Sequence, residues 1–354
     1  MNKKYTNCLI ELLSEEIPAR LLKYAEKELL NLFEKECKQN QIKINNYFVL
    51  SSPRRLTVIV KNIQSKQEDQ ILEIKGPSIK SPEIAINGFL KTQKISRKNL
   101  IKKITNKGKF YFIEKKIIGK SIGVLLPKII SNIINKFNWP KSQRWGNSDL
   151  KWVRPLRNIL VLVNDKKIFG EIDLGNDEKI KFKDFTYGHR YFSEKIFIHK
   201  TNDYIKLLEK NGVFVDKNDR EKIILKEIKS LLNRKKLKLY YDQKLLEEVS
   251  GLIEFPNVLL GKINNKFLNL PFDVLSASMK IHQKYFTVVN EQNEIEPYFV
   301  FVSNTLKDKK VDKIIIAGNE RVLKARLSDA VFFYDNDQSK PLSVHGQRLT
   351  TTVF

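Results

Sequence analysis

Only two cysteines, Cys8 and Cys37, and four histidines occur in 354 residues, with no C-x-x-C pair. That supply excludes a disulfide framework and a Cys/His zinc site. Long hydrophobic runs are missing as well. The apolar stretches at 159–163 and 298–302 are strand-sized, whereas a bilayer span needs about 18 apolar residues. Met1-Asn2-Lys3-Lys4-Tyr5-Thr6 begins no signal-peptide core or cleavage site. We expect no membrane partner and a cytoplasmic protein. A phosphate loop is also lacking: Gly170 and Gly175 have a superficial likeness to one, but Asn176 stands where its lysine belongs.

Negative charge is scarce, with 40 acidic residues against 65 basic ones and a formal charge of +25. Such a field draws in a polyanion such as nucleic acid. Lysine outnumbers arginine by 52 to 13 and Ile and Asn are abundant, a bias that AT-rich codon drift would equally produce. The arginines therefore carry more information, because a planar guanidinium stacks on bases and forks onto phosphate. They cluster at Arg54-Arg55, between Arg144 and Arg157, at Arg190, and between Arg321 and Arg326.

A hydrophobic fraction of 42% with 10% aromatics marks a chain that folds around a packed core. Its length calls for two lobes or more. A strand is expected at 8–13, then the acidic turn Ser14-Glu15-Glu16 and a helix with Pro18 at its first position. Leu21, Leu22, Ala25, Leu29, Leu32 and Phe33 give that helix one apolar stripe. Runs at 47–50 and 56–60 flank Ser51-Ser52-Pro53-Arg54-Arg55, which reads as a hairpin with a basic, solvent-facing tip. Residues 91–120 carry eleven Lys or Arg and one Glu around the strand-like Phe110-Tyr111-Phe112-Ile113, and read as a solvated basic face rather than a specific site.

Further along, a helix is expected at 122–137 and strands at 158–163 and 168–172. Helices follow at 204–208, at 221–232 with Asp219 as its cap, and at 245–252. Strands at 257–263, 285–289 and 298–303 precede a final helix from Asn319 to about Tyr334. The pattern is α+β and multidomain, with mixed sheets and packed helices. It divides into lobes at 1–200 and 201–337, while the last residues, 347–354, rise into a new apolar pattern without a cap, as if cut off.

A series of short motifs stands along the chain. They are Ser14-Glu15-Glu16-Ile17-Pro18, Ser52-Pro53-Arg54-Arg55-Leu56, Lys75-Gly76-Pro77, Pro140-Lys141-Ser142-Gln143-Arg144-Trp145-Gly146, Val153-Arg154-Pro155 and Gly188-His189-Arg190-Tyr191. The second half adds Leu245-Leu246-Glu247-Glu248-Val249, Glu254-Phe255-Pro256, Phe267-Leu268-Asn269-Leu270-Pro271, Met279-Lys280, Gln283-Lys284-Tyr285-Phe286 and the run 318–333. In kind and order they resemble the N-terminal half of the β subunit of bacterial two-subunit glycyl-tRNA synthetase. Phe255 departs from the family's usual Trp, and Ser142-Gln143 from a common Leu-Met pair.

The resemblance implies a non-adenylating subunit of an aminoacyl-tRNA synthetase, a glycine–tRNA ligase of protein biosynthesis. It would bind tRNA(Gly), and no DNA, and assemble with the catalytic α subunit as an α2β2 heterotetramer. ATP and Mg would be used by the α subunit, with no cofactor in this chain. The second lobe would be related to the B3/B4 region of phenylalanyl-tRNA synthetase, and 338–354 would begin an HD-like helical domain. The sequence itself shows no GxxxxGK loop, no HIGH-like or KMSKS-like motif and no Gly-rich segment ending in Arg suited to an adenylate. No catalytic residue is assigned, and the chain alone is expected to be inactive.

Candidate tRNA contacts are Arg54, Arg55, Arg144, Trp145, Arg154, Arg157, His189, Arg190, Lys284 and Arg321. Arg144-Trp145 suits unpaired bases, or is a core-edge ring beside a capping arginine. Arg154 and Arg157 flank Pro155 and aim at phosphate, or make structural ion pairs. No nucleophile is arranged around His189 in sequence, so a hydrogen-bonding turn is favoured over a general base. Glu247 and Glu248 diverge by about 100° on a helix and form no carboxylate pair. Arg326 falls on the stripe of Leu323, Leu327, Ala330 and Tyr334 and is expected to be a buried structural charge paired with Asp329. Two other functions fit less of the sequence: a stand-alone basic RNA-binding protein, and an editing-type hydrolase, which glycine's small size makes hard to motivate.

Overall fold

The computed structural model describes residues 4–191, 194–339, 341–344 and 346. Strand β1 (Tyr5–Ser14) is apolar along most of its length because it lies at the centre of a sheet covered on both faces. Cys8, Ile10 and Leu12 meet helix α1 (Ala19–Gln39) on one face, while Leu9 points to the other. Next come β2 (Ile44–Ser52) and β3 (Arg55–Gln64), which form a hairpin.

An inserted module follows: β4 (Gln70–Ser78), α2 (Glu83–Gln93), β5 (Ile101–Thr105) and β6 (Gly108–Ile117), with the three strands in the order β4-β6-β5. The chain returns through α3 (Ile122–Lys136), which joins α1 on the first sheet. It then adds β7 (Leu156–Val163), β8 (Lys166–Lys167), β9 (Glu171–Gly175) and β10 (Glu178–Lys183). The large sheet has the order β2-β3-β1-β7-β10-β9, with β8 paired to β7. A small ribbon, β11 (Phe185–Tyr187) with β12 (Lys195–Phe197), leads to α4 (Tyr204–Lys210). Tyr204, Leu208, Val213 and Val215 seal the second face of the large sheet.

The remaining elements are α5 (Lys217–Asn233), β13 (Lys238–Leu239), α6 (Gln243–Ser250), β14 (Asn257–Lys262), α7 (Phe272–Ala277), β15 (Phe286–Val289), β16 (Ile295–Ser303) and α8 (Lys309–Gln338). They build an antiparallel sheet in the order β13-β15-β16-β14. Helices α5 and α6 pack on one face and α7 and α8 on the other. The fold is multidomain α+β with several sheets, as the residue pattern implied. The two sheet systems meet closely where α6 ends: a Cβ on Gly251 would lie 2.8 Å from that of Ala19. No helix among the described residues is long and apolar enough to cross a membrane.

Several local expectations are corrected. Helix α5 begins at Lys217 and is capped by Asp216, whose carboxylate accepts the Asn218 amide at 2.8 Å, so Asp219 lies in the first turn instead. Helix α8 begins well before Asn319, at a cap formed by Asp308 with the Lys310 and Val311 amides at 2.7 and 3.0 Å. The hairpin between β2 and β3 does not turn its tip to solvent: Ser51, Ser52, Pro53 and Arg55 are buried and Arg54 is half-buried.

Arg326 is exposed, as is Asp329, so neither is a buried structural charge. Among the described residues α8 buries only Leu323 and Leu327. Arg326 sits about 80° around the helix from the centre of that narrow stripe, enough to put a long side chain in water. The expected HD-like start has its residues 347–354 outside the described residues.

Candidate functional site

The end of β1 lies between two neighbouring strand ends. Ser14 donates its amide to the Arg54 carbonyl at 2.8 Å, Glu15 to that of Pro155 at 2.9 Å, and Ile17 to that of Pro53 at 2.6 Å. The amides of the acidic turn thus find their acceptors on the carbonyls of two other chain segments, which docks the turn on them. Three motifs far apart in sequence thereby share one surface.

Beneath this turn is a buried polar cluster. Alternation along β1 puts Glu11 on the face opposite α1, directly across from Thr57 of β3. The Glu11 carboxylate accepts from the Tyr204 hydroxyl at 2.5 Å and from Thr186, and lies 3.4 Å from Arg55 Nε. Arg55 ion-pairs with Glu254 and donates to the Tyr187 carbonyl. Burial works against Arg55's charge, but Glu254 and Glu11 outweigh it and raise its pKa. Burial likewise opposes ionisation of Glu254, yet Arg55, Ser52 and Arg54 hold its carboxyl below the ordinary range. Burial, followed by Glu11, pushes the Tyr204 phenol well above its usual value.

His189 belongs to the same buried cluster. Asn304 Oδ1 accepts the Glu254 and Phe255 amides at 3.0 and 3.1 Å and faces His189 Nε2 at 2.9 Å. An oxygen already committed as acceptor to two amides requires Nε2 to carry the proton. His189 Nδ1 is buried and has no hydrogen-bond partner among the described residues. Arg220 of α5 completes the junction, donating to the carbonyls of Ser250, Phe214, Val215 and Ser51 at 2.8, 2.6, 3.0 and 3.1 Å. Its burial lowers its pKa to about 10.

Over this cluster lies a cationic rim. Arg157 Nε meets Glu15 at 2.6 Å and Arg190 meets Glu16 at 2.8 Å, both arginines being exposed. Exposed pairs of this kind contribute at most about 1 kcal/mol and exchange readily for another anion. Arg54 is half-buried, its buried Nε has no hydrogen-bond partner among the described residues, and burial, opposed by Glu254 and aided by the charge of Arg55 and Arg190, lowers its pKa. Arg154 is half-buried and donates to the Val153 carbonyl at 2.8 Å, and Tyr191 is exposed.

Of the ten candidate contacts, then, Arg54, Arg157 and Arg190 come together around the Glu15-Glu16 turn, while Arg154 is half-buried against its own backbone. Arg55 and His189 are corrected: both are fully buried and occupied by protein partners, out of reach of an RNA. Trp145 packs partly buried against the first core, with Arg144 exposed beside it. Lys284 binds Glu248 at 3.0 Å, and Arg321 is exposed on α8. Among the described residues, none of these four shares a hydrogen bond or ion pair with the junction. No group of His, Cys, Asp or Glu among the described residues is placed to hold a metal.

Glu11, Arg220 and Asn304 went unnoticed in the sequence although two of them carried a signal. Glu11 is the lone charge in an apolar strand, and Arg220 stands one step before Ile224, Ile228 and Leu232 on a four-residue stripe. Nothing local marks Asn304.

The sequence profile described as glycyl-tRNA synthetase beta subunit matches residues 8–354. The glycine–tRNA ligase beta subunit of Rickettsia felis is 41% identical over 352 residues, covering 98% of this chain and 51% of that protein. Those of Rickettsia bellii and Rickettsia prowazekii are 41% and 42% identical over 350 and 355 residues, again across 98% of this chain and 52% and 51% of theirs. The chain spans about half the length of these curated relatives. With five of its motif segments gathered at one junction and a profile match across nearly its whole length, the chain belongs to the glycyl-tRNA synthetase β-subunit family.

Proposed function

We propose that this chain is the tRNA-handling and assembly part of a glycine–tRNA ligase β subunit, acting in the cytoplasm with a catalytic α subunit in an α2β2 enzyme. In this reading ATP, Mg and glycine are handled by the α subunit, and this chain contributes tRNA(Gly) contacts. The observation that supports it best is the rim of Arg54, Arg157 and Arg190 over the junction where five of the family's motif segments meet. Phosphate oxygens can replace Glu15 and Glu16 there at small cost.

A hydrolytic editing role is disfavoured by His189, whose Nε2 is spent on Asn304 and whose Nδ1 is buried with no hydrogen-bond partner among the described residues. The test is to mix the chain with its cognate α subunit and tRNA(Gly), following co-elution and glycyl-tRNA formation. We expect no glycine-dependent ATP–pyrophosphate exchange from this chain alone. Exchange without an α subunit, or failure to associate with both α and tRNA, overturns the reading.

A further inference from the structure

The module inserted between β3 and α3 presents a second arrangement of rings and cations, on the outer face of its small sheet. Strand β6 lies in the middle, and alternation along it divides its residues between two sides. Tyr111 and Ile113 are buried, Tyr111 against Ile86 and Leu90 of α2. Phe110 and Phe112 take the other side and remain partly exposed. Register places Lys75 of β4 and Ile101 of β5 opposite Phe112, and Lys103 of β5 opposite Phe110. Gly76 confirms the orientation: a Cβ there would come 2.7 Å from Phe89 of α2, so Lys75 beside it faces outward.

On that outer face the Lys75 ammonium stands 3.6 Å from the centroid of the Phe110 ring, and that of Lys103 stands 5.9 Å from Phe112. Lys103 is also held by Glu73 and, at 3.8 Å, by Glu114. The surrounding segment 70–120 carries thirteen Lys or Arg against three Glu. Rings two residues apart on one strand lie about 7 Å apart, a spacing at which sheet-borne aromatics stack successive unpaired bases. The lysines do not block this. An exposed cation–ring contact biases an equilibrium about two- to fivefold, whereas stacking one base contributes about five- to a hundredfold. A base therefore displaces Lys75 from Phe110 and frees its ammonium for phosphate.

We propose that this face binds an unpaired RNA segment, with bases on Phe110 and Phe112 and phosphates met by Lys75, Lys103 and Lys116, the last an exposed residue of β6 on the same side that pairs with Asp69 at 3.2 Å. The proposal rests on the reading that the chain's partner is RNA. The charge excess selects a polyanion, and the paired outward rings select one with exposed bases over a duplex or an acidic peptide.

The test uses the full chain and fluorescence anisotropy with labelled oligo(A) of about ten nucleotides, an RNA duplex of similar length, and tRNA. The wild type is expected to prefer oligo(A) to the duplex. The double variant Phe110→Leu, Phe112→Leu keeps apolar bulk on the sheet but removes the stacking faces. It should weaken oligo(A) binding at least about tenfold while leaving the salt slope unchanged. Lys75→Ala with Lys116→Ala should instead flatten the slope, and Phe112→Trp should retain binding. Oligo(A) affinity unchanged in the Leu pair, or equal competition by polyglutamate or anionic vesicles, overturns the platform. Binding of oligo(A) through the rings without any tRNA binding leaves the platform standing and removes the tRNA reading. Wild-type behaviour of the Leu pair toward both RNAs removes the platform alone.

Discussion

Arg55 and Glu254 stand 199 residues apart in the chain and form a buried ion pair that fastens the first sheet to the second lobe. Glu11 flanks the same guanidinium, so one cation serves two carboxylates. Removing Glu254 leaves Glu11 as the only carboxylate beside the guanidinium and takes away the acceptor of Arg55 Nη1. Glu254→Ala should therefore destabilise the fold by about 1 to 3 kcal/mol in denaturant titration. The pair Arg55→Met, Glu254→Leu should cost more, about 3 to 5 kcal/mol, because Glu11 then keeps only hydroxyl partners and is the uncompensated charge. A Glu254→Ala midpoint equal to wild type would show that Glu11 and the Tyr187 carbonyl satisfy the guanidinium by themselves.

The same pair sets an acid limit. Glu254's carboxyl is held below its ordinary range when folded. Its stabilisation is thus complete above the unfolded glutamate pKa of about 4.3 and is lost as pH falls through the lower folded value. Acid titration of stability should be steeper in the wild type than in Glu254→Gln below that point. Parallel curves would remove Glu254 as the source.

Along α8, burial separates neighbours one residue apart. Arg326→Ala should leave the denaturation midpoint nearly unchanged, since the side chain is in water. Leu327→Ala, at a fully buried position, should cost about 2 to 5 kcal/mol. Equal effects of the two would mean that the stripe on α8 is broader than Leu323 and Leu327.

If the rim meets tRNA, Arg157→Ala and Arg190→Ala should each weaken binding and reduce the salt slope by about one unit, without changing thermal stability. Each also frees an acidic side chain, Glu15 or Glu16, at the site. Double variants lacking both the arginine and its glutamate should therefore bind slightly better than the single variants. A slope that stays constant in all of these places the phosphate contacts elsewhere.

Elements whose period is set by their own side chains were legible from sequence: the strand at β1, the stripe on α1, the strand pair in β2 and β3, and the alternation of strand and helix runs in the second lobe. So was the family, because its motifs are short local strings. Helix starts were less legible, since Asp216 and Asp219, or Asp308 and a later polar residue, offer similar local caps and packing chooses between them.

Burial of charge was not legible at all. Arg54 and Arg55 are adjacent and chemically identical, yet Arg55 opens β3 on the face that meets Glu11 and Glu254, while Arg54 sits in the turn before it and stays half in solvent. Arg326 looked inward on helical spacing, but only a neighbour's surface can define how wide a buried stripe is, and α8 meets a narrow one. Local propensity and periodicity act within about one turn or one strand, so the sequence by itself determined the elements and the family. Which arginines pay the desolvation cost of burial and which keep their charge for a partner was decided by residues 199 positions away, brought within reach only by the tertiary fold.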